Sequence, residues 1–362
     1  MDIPKNGFSI DFQKSPYSPF TDMAQERGKL LEKNFYATNG TTPIQRETYD
    51  YSPLNGNKDS IRSVYLRRLA LFGSYSANAF EGAAYQIYIY PYNVTKKTEY
   101  FYDTNGQTPI VTETSYGYND LGQLFSTAQK DSRNNTISTA TYYPYMSSGF
   151  ADGSIPDYGD YTFRQGMIAK NLLSYPLQEV IKRGSGVTEM TRYRYGTFNG
   201  ITKLTKIEKT SLTAPRDGFD PVRDADLTPE LYFDNYDKLG NQLQTRTRNN
   251  VPTTYIWGYG GSYLVARIEN ADYNSVKAAL GNIDLVNQPL AGPLSAGQES
   301  ALRNLPNTLV TICTYKPLVG VTSITDPSGR TTHYDYDQYG RLISVLDDQG
   351  QPLTGYEYHY KQ

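Results

Sequence analysis

The run Tyr315-Lys316-Pro317-Leu318-Val319-Gly320-Val321-Thr322-Ser323-Ile324-Thr325-Asp326-Pro327-Ser328-Gly329 is echoed by Tyr336-Asp337-Gln338-Tyr339-Gly340-Arg341-Leu342-Ile343-Ser344-Val345-Leu346-Asp347-Asp348-Gln349-Gly350. Both read as tyrosine, glycine, a β-prone run, an aspartate-led turn and a second glycine. Tyr315 and Tyr336 stand 21 residues apart, Asp326 and Asp347 also 21, Gly320 and Gly340 20. A unit this short cannot bury its own apolar face, so a chain built of such units is a stacked array whose core forms between neighbours. The 362 residues are therefore read as one continuous body, because each added unit extends the same core.

Composition points the same way. Thirty-five tyrosines stand against one tryptophan, one cysteine and five methionines, and tyrosine favours half-buried pleated surfaces with its hydroxyl at the wet edge. The net charge of -2, from 35 basic and 37 acidic residues spread evenly, gives no electrostatic footprint for nucleic acid or an anionic membrane. No run approaches the roughly 18 apolar residues of a membrane span. Met1 to Ile10 lacks the basic-then-apolar order of a signal peptide, so either the protein is cytoplasmic or Met1 replaces a removed leader. Lone Cys313, within Thr311-Ile312-Cys313-Thr314, reads as a small packed thiol.

Turn signals punctuate the chain. Thr38-Asn39-Gly40-Thr41 lies between two β-prone runs, and Asn-Gly there marks a hairpin. Asp103-Thr104-Asn105-Gly106, Asn119-Asp120-Leu121-Gly122 and Asp237-Lys238-Leu239-Gly240 repeat the grammar, with further turns at Arg133-Asn134-Asn135, Phe198-Asn199-Gly200 and Arg248-Asn249-Asn250. Helical spacing over 158–173, with Asp160 as cap, predicts a short helix. A second is predicted from Tyr273 to Leu280 behind Asp272, and a third opens at the capping box Ser295/Gln298 and stops before Pro306. Loops are expected at Ala214 to Pro229 and Asn282 to Leu294. The resulting map is N-terminal hairpins at 21–156, a helix-containing insertion at 157–173, central hairpins at 174–270, a helical insertion at 271–308 and C-terminal repeats at 309–362.

A flat sheet of roughly 18 strands would be roughly 85 Å across, which twist does not permit. The predicted fold is mainly β: tandem antiparallel hairpins in a strongly curved, spiral or barrel-like sheet with a few short helices. Leu342 and Leu346 point to one face and Ile343 and Val345 to the other, so this hairpin is expected to be covered on both sides. The polar run Gln242 to Arg248 is expected to face water.

Tyr334-Asp335-Tyr336-Asp337-Gln338-Tyr339-Gly340-Arg341-Leu342, with the terminal Tyr356-Glu357-Tyr358-His359-Tyr360, resembles the Rhs/YD-repeat family, named for its tyrosine-aspartate dipeptide. Tyr255-Ile256-Trp257-Gly258-Tyr259, Arg267-Ile268-Glu269-Asn270-Ala271 and Leu305-Pro306-Asn307-Thr308 look like a bacterial secreted branch of it. The likeness is dense from about Leu231 onward and thinner before, where Arg27-Gly28-Lys29-Leu30 and Ala169-Lys170-Asn171-Leu172-Leu173 are the anchors. The resemblance implies a hairpin array winding into a hollow shell. In toxin-bearing relatives the shell encloses a C-terminal cargo released after a proline-aspartate-rich motif. Motif and cargo are missing from this sequence, which implies the C-terminal part of such a protein without a toxin domain, and an open or partial wrap.

The chemistry-bearing residues read as structural. His333 and His359 are the only histidines, and each alternates with tyrosines on a strand. No cysteine-histidine pair, metalloprotease signature or phosphate loop appears; Gly258-Tyr259-Gly260-Gly261-Ser262 reads as a turn. Asp335, Asp337, Asp347 and Asp348 could form a glycosidase pair but sit where turn aspartates bond their own backbone. They also lack the spacing of an EF-hand loop. No catalytic residue, cofactor or metal is predicted. Tyrosines two apart project from one face and form ladders, as at Tyr100/Tyr102 and Tyr193/Tyr195. Tyr255, Trp257, Tyr259 and Tyr263 are the candidate glycan contacts.

These readings converge on a non-catalytic, secreted or surface-associated scaffold that shields or presents a partner, a cell-surface glycan or another protein. The alternative is a carbohydrate-binding module using aromatic ladders. A remnant of a toxin-encapsulating shell and a glycoside hydrolase are the further readings.

Overall fold

In a computed structural model, the structure describes residues 23–71, 74–146, 161–216 and 227–359. It is mainly β and antiparallel. The described residues divide into two compact units, the first drawn from 23–71, 74–143, 179–189 and 212–216, the second from 144–146, 161–178, 190–211 and 227–359.

Eight strands open the chain: β1 (Glu32–Tyr36), β2 (Pro43–Pro53), β3 (Ser60–Leu71), β4 (Ser74–Tyr88), β5 (Tyr92–Tyr102), β6 (Pro109–Tyr118), β7 (Leu124–Lys130) and β8 (Thr136–Tyr142). β1 pairs β2, β2 pairs β5, and β5 to β8 pair in succession, while β3 and β4 form a two-stranded ribbon of their own. From Glu32 to Tyr118 the buried residues, among those described, are Glu47, Tyr90 and Thr98. Backbone pairing joins the strands, and charged and aromatic side chains line their faces. Register sets Glu47 beside Glu99, and Lys97 bridges both at 3.3 and 2.8 Å. On the opposite face Arg46 pairs Glu32 at 2.8 Å and lies over the Tyr100 ring, and Lys96 reaches Glu113 at 3.2 Å. The Tyr49 hydroxyl and the Lys97 ammonium, against the opposing effect of burial, hold the Glu47 carboxyl below its usual range.

The later elements are α1 (Tyr161–Ala169), β9 (Gln178–Arg183), β10 (Gly186–Phe198), β11 (Ile201–Arg216), β12 (Thr228–Tyr236), β13 (Gln242–Thr247), β14 (Pro252–Gly258), β15 (Tyr263–Glu269), α2 (Tyr273–Ala279), α3 (Ala296–Arg303), β16 (Leu309–Lys316), β17 (Gly320–Thr325), β18 (Thr331–Tyr336), β19 (Leu342–Leu346) and β20 (Pro352–Gly355). β11 to β20 pair each with the next, all antiparallel. The caps read from sequence are present: the Asp272 carboxylate accepts from Ser275 N–H, and Ser295 and Gln298 close a reciprocal capping box. Asp160 and the start of the predicted first helix lie outside the described residues, as does the middle of the loop expected at Ala214 to Pro229; β11 and β12 extend into both ends of that loop.

The core of this unit lies where the helical segment packs on the strands. Leu243, Ile256, Val265 and Ile268 from β13 to β15 meet Val276, Leu285 and Leu302 from the segment between β15 and β16, all at most 2% exposed. This corrects the expectation that Gln242 to Arg248 faces water. Leu243 is 1% exposed, and buried Thr245 shares a hydrogen bond with the Tyr255 hydroxyl at 3.3 Å. Alternation lets one face of a mostly polar strand enter the core when each inward hydroxyl finds a partner. The reverse correction holds for β19: its side chains are half-buried or exposed on both faces, with Ile343 exposed.

Candidate functional site

Seven turns share one construction. At Asp103, Asn119, Asp131, Asp237, Asp326, Asp337 and Asp347 a side-chain oxygen accepts from the N–H groups two and four residues on, at 2.7 to 3.1 Å. The N–H three residues on returns to the same residue's carbonyl, from a glycine, or from Asn134, in the left-handed region. This is a type I turn closed by a left-handed residue, with the aspartate replacing water at the inner donors. The N–H groups from Asn135 and Arg341 draw the Asp131 and Asp337 carboxyls below their usual range; at Asp326 the Ser328 hydroxyl leads. Asp337 and Asp347 are thus turn formers as read from sequence, whereas Asp335 sits mid-strand and accepts from the Ser344 hydroxyl at 3.0 Å.

The tyrosine ahead of such a turn has a second duty. Where Tyr236 and Tyr336 precede the aspartate, the strand bulges and the ring reaches back to an earlier strand. Tyr236 donates to the Leu204 carbonyl at 2.9 Å and Tyr336 to Val321 at 2.9 Å. Tyr51, Tyr143, Tyr195 and Tyr358 make the same kind of bond to Leu30, Leu124, Pro176 and Leu342. The period in the sequence is therefore a latch. Burial pushes the Tyr236 hydroxyl up to about 12.

The two glycines that align in the sequence differ in cause. Gly340 closes a turn at φ +76°, whereas Gly320 begins a strand, and a methyl there would collide with the Tyr336 ring and hydroxyl.

The candidate glycan contacts separate into three places. Tyr259 and Tyr263 meet in an edge contact at 5.4 Å and are joined by Tyr315, which stacks on Tyr263 at 4.8 Å. The Tyr259 hydroxyl donates to the Tyr315 carbonyl at 2.9 Å and accepts from its N–H at 3.0 Å; the Tyr263 hydroxyl accepts from Leu318 N–H at 3.1 Å. Trp257 packs against the core and its indole N–H donates to Gln242 at 2.8 Å. Tyr255 bonds Thr245. All four polar ends are held by the protein itself. Tyr315 completes this cluster, and its 21-residue period with Tyr336 is what marks it in the sequence. Its hydroxyl is pushed up to about 12, chiefly by burial and then by neighbouring Cys313, whose own thiol burial also raises.

A cavity of about 300 Å³ lies between α1 and β10, walled by Phe163, Met167, Leu177 and Tyr193 with Arg164 and Arg194 at its border. Arg194 donates to Glu208 at 2.7 Å, and Lys206 reaches the same carboxylate at 2.6 Å. Burial works to raise the Glu208 carboxyl; these two bonds outweigh it and leave it lowered. The arrangement is a bridged ion cluster, one carboxylate held between two cations. His333 lies exposed on β18, and His359 stands 3.6 Å from Glu357 at the exposed end of the chain. Among the described residues no three His, Cys, Asp or Glu side chains come together as a metal site would require, and no helix is long and apolar enough to cross a membrane.

Among solved structures, a TcdB2-TccC3-TEV crystal structure aligns with 88% of this chain and 16% of its own, at 11% identity and a TM-score of 0.40. A Photorhabdus luminescens Tc holotoxin pore aligns with 72% of this chain and 12% of its own, at 11% identity and 0.31. A porin-like protein from Bacteroides uniformis aligns with 87% and 93%, at 10% identity and 0.21. The chain thus spans less than a fifth of the length of the first two. No curated protein matches it in sequence. The family model described as RHS Repeat matches residues 319–352, a segment that holds the turns at Asp326, Asp337 and Asp347 and the Tyr336 latch. The tyrosine-aspartate grammar of the C-terminal hairpins is that of the RHS repeat, and the chain carries one at 319–352.

Proposed function

We propose that the protein is a non-catalytic Rhs-type scaffold, secreted or surface-associated, whose hairpins form one continuous curved array that shields or presents another protein. The observation that carries this reading is where the reactive groups point. Turn carboxylates bind their own backbone and tyrosine hydroxyls latch neighbouring strands. A wall needs this arrangement; a catalyst needs groups directed at a substrate. We read α1 and the segment carrying α2 and α3 as insertions into the array, and the latter packs on a stretch of sheet.

Turnover on a broad panel of glycosides and peptides, abolished by one carboxylate substitution, would overturn the non-catalytic reading. Curvature has its own test. Small-angle scattering of a curved wall should give a radius of gyration clearly above the roughly 21 Å of a compact chain of this length. A second reading, glycan contact by Tyr255, Trp257, Tyr259 and Tyr263, has in its favour that all four residues are half-buried and none is fully enclosed. A glycan array on which Trp257→Ala leaves binding unchanged removes it.

A further inference from the structure

Four asparagine-glycine pairs lie among the described residues: Asn39-Gly40, Asn55-Gly56, Asn105-Gly106 and Asn199-Gly200. A fifth, Asn6-Gly7, lies outside them. The pair suits a turn because both residues tolerate the left-handed region. It also carries chemistry of its own. Glycine has no side chain to shield its backbone nitrogen, which can attack the carboxamide carbon of the asparagine before it and close a five-membered ring. Closure needs a nitrogen not held in another bond, a carboxamide that can turn towards it, and room for the ring. The four turns meet these conditions unequally.

At Asn39-Gly40 and Asn105-Gly106 the glycine but not the asparagine is left-handed, at φ +72° and +69°. There the glycine N–H closes the turn. Gly40 donates to the Ala37 carbonyl at 2.8 Å and Gly106 to that of Asp103 at 2.9 Å. The Asn39 carboxamide is held as well: its oxygen accepts from the Thr41 and Thr42 N–H groups at 3.0 Å, and its nitrogen donates to the Thr42 hydroxyl at 2.7 Å. Gly106 is crowded, since a methyl there would stand 2.8 Å from Pro43.

At Asn55-Gly56 and Asn199-Gly200 both residues are left-handed, the asparagines at φ +51° and +49° and the glycines at +70° and +80°. This is the two-residue type I′ turn, closed by the residue after the glycine, as when Asn57 N–H reaches the Leu54 carbonyl at 3.0 Å. The N–H groups of Gly56 and Gly200 make no hydrogen bond among the described residues. The side chains then separate the two pairs. Asn55 donates to the Asp120 carboxylate at 2.9 Å, which fixes the carboxamide and sets a negative charge beside an anionic step. Asn199 has no such bond among the described residues, and both it and Gly200 are exposed. Beyond its chain neighbours, nothing comes within 4 Å of where a Cβ on Gly200 would lie.

We propose that Asn199-Gly200 is a self-modifying site at the turn between β10 and β11. The Gly200 nitrogen gives its proton to solvent base and bonds to Asn199 Cγ. The Cγ–Nδ2 bond breaks, and Nδ2 leaves as ammonia with a proton from water, so that a succinimide ring remains. Water then adds to one of the two ring carbonyls and the C–N bond at that carbon breaks. Opening at Cγ gives aspartate; opening at the α-carbonyl gives isoaspartate, with the chain routed through Cβ. Atoms balance with water as the co-reactant and ammonia as the leaving group. Either product adds one negative charge, and isoaspartate adds a backbone atom to a turn whose length sets the register of its strands. The Phe198 ring stands 4.8 Å from that of Tyr236, so the change is made beside the Tyr236 latch. This inference is independent of the scaffold reading and stands or falls separately.

The test is ageing of the full chain at neutral and at mildly alkaline pH, with each asparagine-glycine peptide followed by mass spectrometry and isoaspartate by enzymatic methylation of its α-carboxylate. Asn199 should convert at least about fivefold faster than Asn39 or Asn105, the factor carried by one hydrogen bond that must first be broken, and faster still at the higher pH. In urea the turns are gone and the four rates should draw together. Asp120→Ala should raise the rate at Asn55 about fivefold and leave that at Asn199 unchanged, with circular dichroism showing the variant folded. The proposal is overturned if Asn199 does not convert in the folded chain or converts no faster than Asn39 or Asn105. It is equally overturned if Asn199 keeps its lead in urea, where Phe198 before it rather than the turn would set the rate, or if Asp120→Ala leaves Asn55 unchanged.

Discussion

Between Glu32 and Tyr118 the hairpins bury Glu47, Tyr90 and Thr98 among the described residues, whereas those around Leu243 to Ile312 contribute to a cluster of twelve buried residues under two helices. The turn chemistry is common to both, with Asp103 and Asp237 closing by the same pair of bonds. What differs is what lies on the faces. The first region relies on cross-strand charge and ring contacts worth about 0.2 to 1 kcal/mol each; the second excludes water from whole side chains, worth about 1.5 to 3 kcal/mol apiece. The turn thus specifies a hairpin without specifying how that hairpin is stabilised.

The sharpest way to break this comparison is a matched pair of truncations. Ile256→Ala, at 0% exposure, should lower unfolding free energy by about 2 to 5 kcal/mol. Ile110→Ala, at 74% exposure, should change it by no more than about 0.5 kcal/mol. Urea titration followed by fluorescence and circular dichroism reads both, and equal losses would show that the first region has a core after all.

Glycine substitutions sharpen the account of the repeat. Gly320→Ala should cost about 1 to 3 kcal/mol through collision with Tyr336, and Gly320→Asn no less. Gly340→Ala should cost about 1 to 2 kcal/mol through its backbone, and Gly340→Asn should recover much of that. Matching responses at the two positions would mean that their sequence alignment reflects one cause.

One latch and one buried cluster tyrosine are open to titration. Tyr236 and Tyr315 titrate near about 12 when folded and near about 10 when unfolded. A raised folded value means their contribution is complete below pH 10 and is lost as pH rises from there through 12. Tyrosinate absorbance should accordingly show late-titrating groups coupled to unfolding, and Tyr236→Phe should remove one of them at a cost of about 1 kcal/mol. The carboxylates run the other way. The folded values of Asp131, Asp326 and Asp337 are lowered, so the turns are fully supported above about pH 4 and weaken as pH falls below it. Asp337→Asn should blunt that acid sensitivity while leaving hydrogen-exchange protection at neutral pH nearly intact.

The smallest effect belongs to the charged ladder. Lys97→Met removes the bridge to Glu47 and Glu99 and should cost at most about 1 kcal/mol, shrinking with added salt. A salt-independent loss would mean that the lysine stem, rather than its charge, is what matters.

The turns and helix caps were legible because their signals are local: aspartate and glycine at fixed offsets act on their own backbone, and Asp272 and Ser295 on the next helical turn. Burial was not. Gln242 to Thr247 reads polar, yet Leu243 and Thr245 go inside because a segment some thirty to sixty residues later in the chain lies over them. Leu342 to Leu346 reads apolar on both faces, yet neither is buried. Among the candidate contacts, the aromatic character of Tyr255, Trp257, Tyr259 and Tyr263 was visible, and the capture of their hydroxyl and indole groups by Thr245, Gln242, Tyr315 and Leu318 was not, since those bonds cross up to 56 residues.

The self-contained turn also constrains how such a chain changes over evolutionary time. Deleting a single strand would send every later loop to the other edge and exchange the inward and outward side chains of all that follows. Deleting two leaves both assignments intact. Homologues of this chain should therefore differ in length by whole hairpins, and each turn should keep its edge whatever the number of repeats.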